Sequence, residues 1–108
     1  VNRYIVSGLL ADMRAGRRVV FISKDWACMR EAFTAVAFWL ETDERAIRAS
    51  GWERCESADG KGSIRFFPLG GSYTGMHTDV VVADAELEPR QKAEVLQLVD
   101  MHGEVICL

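Results

Sequence analysis

Two carboxylates are placed by type and spacing to do chemistry. Asp84 closes the apolar run Val80-Val81-Val82-Ala83, and Glu86 follows two residues later. An acid at the end of a buried strand can hold magnesium while a neighbouring Glu activates water for attack on a phosphoryl group. That chemistry also needs a grip on the triphosphate, normally Gly-x-x-x-x-Gly-Lys followed by Ser or Thr, whose backbone N–H groups face the phosphates at a helix N-terminus. No such stretch stands ahead of the first helical segment, and Ala85 rather than Glu directly follows Asp84. Both halves of the hydrolytic apparatus are therefore incomplete. The expectation is a chain that is not an enzyme by itself and takes no cofactor.

Two glycine clusters are the other phosphate candidates. Asp59-Gly60-Lys61-Gly62 lies between two strand-like runs, and Gly70-Gly71-Ser72-Tyr73-Thr74-Gly75 leads into another strand. Neither opens a helix whose dipole would favour an anion, so both read as turns. His77, His102, Asp79, Asp84 and Cys107 include metal-ligating types, but no pair has HxxxH, CxxC or HxE spacing and no metal site is expected. Cys28, Cys55 and Cys107 are odd in number and widely spaced, which suits buried structural thiols better than a disulfide framework.

The elements that must carry these residues follow from periodicity. Asn2 to Ala15 places Ile5, Val6, Leu9, Leu10 and Met13 at helical spacing, with Gly16 as the stop. Arg17 to Ser23 contains Val19-Val20-Phe21-Ile22, the unbroken run of a strand covered on both faces. Ser23 or Asp25 caps a helix from Asp25 to about Glu41, whose stripe is Trp26, Met29, Phe33, Val36, Ala37 and Leu40. A further helix is expected over Asp43 to Ala49. Trp52 to Ser57 and Ser63 to Leu69 form a hairpin about the Asp59–Gly62 turn. The Val80 to Asp84 strand follows, then a helix opened by Pro89 and carrying Val95, Leu96, Leu98 and Val99. Gly103 is a break before a last strand, Glu104 to Leu108. Strands alternating with helices predict one α/β domain over residues 1–108, a small mostly parallel three-layer sheet with a β-hairpin added.

Composition agrees with a single core. The 108 residues are 49% hydrophobic, which supplies one apolar interior and no second domain. No run approaches the roughly 18 apolar residues of a membrane span, and the start lacks secretory-signal features, so a cytoplasmic protein without membrane contact is expected. The net charge of −3 comes from interspersed acids and bases, which disfavours nucleic acid as a partner.

The order of these parts resembles the core of phage terminase large subunits and related helicase-type P-loop ATPases. The resemblance rests on the Val80–Asp84 strand with Glu86, on Ile64-Arg65-Phe66-Phe67 and Gly70–Gly75 before it, and on Glu104–Leu108 after it. It implies a degenerate, truncated ATPase-like core without the phosphate-gripping loop, and a small phage accessory protein acting on a host or viral protein. It also implies that the Glu104–Leu108 strand lies beside the Val80–Asp84 strand, with Val19–Ser23 beyond, which leaves Gly103, Glu104, Val105, Ile106, Cys107 and Leu108 as a sheet edge. Such an edge is a template for a partner's strand or for a second copy, unless a charged side chain or the first helix shields it.

Phe38 falls among the polar positions of the second helix, near Thr34 and Glu31, with Trp39 at the border. Either the Trp52 hairpin covers Phe38, the preferred expectation, or the pair anchors a protein interface. Two further alternatives stay open. One is a fragmentary ATPase whose phosphate loop comes from another polypeptide. The other is a nucleic-acid module using Arg14, Arg17, Arg18 and Lys24 near one end of the sheet.

Overall fold

Val19, Val20, Phe21 and Ile22 are each at most 1% exposed, as an apolar run with no polar alternation requires. The computed structural model describes residues 2–49, 52–71, 73 and 76–108. Its elements are α1 (Arg3–Arg14), β1 (Arg18–Ser23), α2 (Trp26–Phe38), β2 (Arg45–Ile47), β3 (Arg54–Glu56), β4 (Ser63–Pro68), β5 (Thr78–Asp84), α3 (Pro89–Leu96) and β6 (Val99–Cys107). One six-stranded sheet runs in the order β2-β3-β4-β1-β5-β6. β4, β1, β5 and β6 are mutually parallel, and β3 and β2 extend the sheet in antiparallel fashion. This is the α/β, mostly parallel arrangement with a hairpin that the sequence predicts. Among the described residues no helix is long and apolar enough to cross a membrane.

The two faces have separate cores. On one, Val19, Phe21, Ile64, Phe66, Val80 and Val82 meet Leu9 and Met13 of α1 and Met29, Phe33 and Val36 of α2. Phe33 packs edge-on against Phe66 with ring centroids 5.4 Å apart. On the other, Val20, Ile22, Val81 and Ala83 meet Phe67, Leu87, Val95 and Leu98. Tyr73 completes this second layer where α3 does not reach, with its ring against Phe67 and its hydroxyl accepting the Gly70 N–H.

Local chemistry sets most helix ends. Asn2 Oδ1 accepts the Tyr4 and Ile5 N–H groups at the start of α1, and Gly16 takes φ +85° just past its end. Asp25, rather than Ser23, caps α2 by accepting the Cys28 N–H at 2.8 Å. That hydrogen bond holds the Asp25 carboxyl below its ordinary range.

Three expectations need correction. Residues 43–49 do not form a helix; 45–47 are β2. Helix propensity there gives way to tertiary constraints, because Arg45 pairs across the strands with Glu56 at 2.7 Å, and the Arg48 guanidinium lies over the Phe33 ring. The last strand begins at Val99, not Glu104, and α3 ends at Leu96, so neither Leu98 nor Val99 is helical. Gly103 lies inside that strand. Between Thr78 and Val80 two steps of β5 face five of β6, and a Cβ on Gly103 would meet Val99 Cβ at 2.7 Å and the Asp79 carbonyl at 3.0 Å. The glycine permits this crowded bulge. Finally, only Cys55 is a buried thiol, its ionisation pushed up to about 12 by burial; Cys28 is half-buried and Cys107 exposed.

The lock that fixes α1 against the end of α2 is Arg14. Its guanidinium makes two 2.9 Å bonds to Glu44 and also donates to the Trp39 carbonyl. The Glu44 side chain is only 4% exposed, and its Oε1 additionally accepts the Glu41 N–H. These contacts, the Arg14 hydrogen bond first, hold the Glu44 carboxyl below the usual carboxylate range. Glu44→Gln is expected to destabilise the fold by about 1.5–3 kcal/mol in urea unfolding. A depressed folded-state value stabilises fully above the ordinary carboxylate range and loses that contribution as pH falls through the lowered value. The stability difference between wild type and Glu44→Gln should therefore shrink in acid; an unchanged difference would remove Glu44 as the titrating lock.

Candidate functional site

The carboxyl end of the parallel strands gathers the residues first singled out for chemistry. Asp84 ends β5 in register with Ser23, which ends β1, and Ser23 is also in register with Pro68 of β4. The chain leaves β1 into α2 on one face and leaves β5 into α3 on the other, so the topological switch point, the place where open α/β sheets commonly take ligands, falls between these two strands. The Ser23 hydroxyl is buried and has no hydrogen-bond partner among the described residues. Asp84 and Glu86 are both exposed. Among the described residues no three of His, Cys, Asp and Glu converge to hold a metal ion. His77 is exposed at the opposite, amino end of β5, and the His102 side chain lies outside what is described.

The Asp59–Gly62 cluster is a self-satisfied turn. Gly60 N–H donates to the Ser57 carbonyl, Lys61 N–H to Asp59 Oδ1 and Gly62 N–H to Ser57 Oγ. The amides that a phosphate cradle would offer are used internally. The Lys61 amide contact, with the Ser57 hydroxyl, keeps the Asp59 carboxyl below its ordinary range. Gly62 is required for another reason, since a Cβ there would fall onto the Met13 carbonyl at the end of α1. Of the second cluster, Ser72, Thr74 and Gly75 lie outside the described residues.

The basic residues do not form a stripe. Arg14 is held by Glu44, Arg17 lies between Asp12 at 3.5 Å and Glu104 at 3.2 Å, and Arg18 contacts Asp79 at 3.4 Å. Arg18 also donates its backbone N–H to Asp79, which lowers that carboxyl's ionisation range. Lys24 follows the carboxyl end of β1, the full length of the strand from Arg18. The expected grouping of the four near one end of the sheet is not what the fold produces.

β6 is an outer strand of the sheet, the position that the resemblance implied for Glu104–Leu108. Its register with β5 pairs Val80 with Glu104 and Val82 with Ile106, which sets Glu104, Ile106 and, two residues on, Leu108 on the α1 face. Val105 and Cys107 take the α3 face, where Val105 packs against the second core. The Leu108 N–H donates inward to the Ala83 carbonyl at 2.9 Å. Alternation then turns the N–H and C=O groups of Val105 and Cys107 outward, away from β5. α1 stops short of this edge. Ile5, Gly8, Leu9 and Asp12 form one bank of a groove of about 130 Å³, and Val82, Ile106 and Leu108 form the other. Ile106 is 38% and Leu108 53% exposed.

Phe38 is not covered by the hairpin. It is the last residue of α2 and 78% exposed, with Trp39 at 60% set edge-on against it at 5.3 Å. Trp52 lies instead with Arg65 and Phe67, and Phe67 belongs to the sheet face opposite α2. Sequence reasoning also passed over Tyr4, 74% exposed with the Arg3 guanidinium 5.1 Å from its ring centre. The available signal was the one that exposed Phe38: an aromatic standing outside its helix's apolar stripe.

No protein-family model matches this chain, and no curated protein is similar to it. Because Phe38 is 78% exposed and its aromatic contact among the described residues is with the exposed Trp39 ring, Phe38→Ala should change unfolding free energy by no more than about 0.5 kcal/mol. A loss of several times that in thermal or urea unfolding would restore Phe38 to the core.

Proposed function

We propose that this chain is a non-catalytic protein-interaction domain that receives an extended segment along β6, either from a partner protein or from a second copy. The observation that carries the reading is the combination at that edge: outward backbone groups at Val105 and Cys107, and exposed Ile106 and Leu108 over a groove that α1 leaves open. Among the described residues no strand pairs with the outer side of β6. An added strand would gain main-chain hydrogen bonds and lay alternate side chains into the groove beneath α1. The resemblance to phage terminase and helicase-type ATPase cores belongs to the same reading, and makes a host or phage protein the partner. Its support is that β6, β5 and β1 lie side by side in the order the resemblance implies.

Ile106→Lys tests the edge directly, because a lysine at this position is a common natural guard against strand addition. The substitution should leave the monomer folded, since Ile106 is already exposed. It should abolish both concentration-dependent association in sedimentation and retention of any co-purifying partner. Association or retention equal to wild type in the folded variant would sink the proposal.

A second reading is favoured by one specific feature, the register of Asp84 with the buried Ser23 hydroxyl, which has no hydrogen-bond partner among the described residues, at the carboxyl end of the sheet. In it the chain is part of an ATPase, with Asp84 and Glu86 supplying the magnesium and water-activating carboxylates and another polypeptide supplying the phosphate loop. Titrating the chain with magnesium and ATP by calorimetry separates the two. The interaction-domain reading expects no saturable heat, whereas saturable binding removed by Asp84→Asn establishes the second.

A further inference from the structure

α1 stands between two grooves, and the second is larger. On the flank away from β6, a cleft of about 440 Å³ opens between α1 and the end of α2. Its floor is apolar, formed by the buried Val6 and Leu10. Tyr4 and Trp39 stand as exposed walls, and Ser7 and Ala11, one turn apart, keep the α1 side low. Small residues of this kind let a second helix approach to the ordinary 8–10 Å interaxial spacing. The cleft runs from Arg3 to Arg14, which along a helix is about 16 Å or three turns.

Both ends are lined by a cation, Arg3 and Arg14, but the charge balance around them differs. At the first, the α1 N-terminus adds its positive dipole end to Arg3, which has no carboxylate partner among the described residues and donates only to the Tyr4 hydroxyl. At the other, Arg14 is already taken up by Glu44, and the exposed Glu41 carboxylate lies 4.0 Å from the same guanidinium. The carboxylates there outnumber the one cation.

We infer that this cleft is a docking site for an amphipathic helix of a partner protein, lying antiparallel to α1 with an acidic last turn against Arg3. The apolar stripe of that helix rests on Val6 and Leu10 between Tyr4 and Trp39. Its negative C-terminal end meets Arg3 and the α1 N-terminus, and its positive N-terminal end meets Glu41. A parallel helix would bring like ends together at both positions. The occupant is fixed by charge at both ends and by length in between. It does not depend on whether β6 accepts a strand, because the two surfaces use opposite flanks of α1.

The test uses the full chain and three synthetic helical peptides of about twelve residues, enough for three turns. All share one leucine stripe; one has Glu in its last turn, one has Lys there, and one is a scramble of the first. Backbone amide and indole shifts are followed by NMR during titration. The Glu peptide should saturate shifts confined to residues 3–14 and Trp39. Arg3→Glu should weaken the Glu peptide by about tenfold or more and strengthen the Lys peptide correspondingly. This substitution falls at an exposed first-turn position, where an acid favours the helix, so folding is retained. Ala11→Trp, at an exposed position, should fill the cleft and abolish binding in a chain that still unfolds cooperatively. The proposal is overturned by absence of saturable shifts, by shifts centred elsewhere, by equal binding of Glu and Lys peptides, or by indifference to Arg3→Glu. It is also overturned if the α1 shifts arise from self-association of the chain alone.

Discussion

β1 is hydrogen-bonded along both edges and covered on both faces, and every other element takes its position from it. Its neighbours β4 and β5 run parallel to it, so each connection must cross a face of the sheet and deliver a helix or a buried side chain there. α2 follows β1 across one face, while α3, carried on from β5, and Tyr73 close the other. The amino end of β1 is pinned by polar contacts as well. Thr78 donates its hydroxyl to the Arg18 carbonyl at 2.6 Å, and Asp79 accepts the Arg18 N–H at 2.9 Å.

Coverage of the sheet is uneven, and the molecule's surfaces of interest lie where coverage stops. α1 packs over β1 and reaches Val82, yet leaves Ile106 and Leu108 of β6 in the open. Its opposite flank meets α2 only in part, because α2 ends at Phe38 and the chain turns away through Trp39. Arg14 holds that turn in place by gripping the Trp39 carbonyl and Glu44 together. The exposed aromatic groups thus sit on a rigid mount, which lowers the conformational cost of binding against them.

What could be read in the sequence was whatever the backbone pattern determines locally. The Val19–Ile22 and Val80–Ala83 runs, Asp25 as one of two cap candidates, Gly16 and Pro89 each act within a turn or a strand, and the elements they mark are present, although α2 and α3 end earlier than the periodicity suggests. The misreadings are long-range. Residues 43–49 have good helix formers, but the Arg14–Glu44 pair spans 30 positions, and the Arg45–Glu56 pair exists only once β3 is alongside. The early start of β6 depends on a bulge against Asp79 and Val99 that no periodicity announces. At the candidate surfaces, the edge position of β6 was implied only by the strand order of the resemblance, not by the sequence pattern itself. The two-sided isolation of α1 was not, because it depends on how far each helix reaches over the sheet. Tyr73 shows the same limit from the other side: a glycine-rich stretch gives every sign of a surface loop, yet supplies one of the largest fully buried side chains.

The central place of β1 also governs how the chain must come together. Val19 pairs with Ile64 on one side and Val80 on the other, so this apolar strand is synthesised before either of its neighbours. Until those segments emerge, Val-Val-Phe-Ile stands with both edges open, a short β-prone run of the kind that seeds aggregation. Arg17, Arg18 and Lys24 bracket it in the sequence, and such flanking charges oppose self-pairing during that interval. Cations that look, in the finished fold, like scattered surface charges thus also stand where they would guard a strand that has not yet found its neighbours.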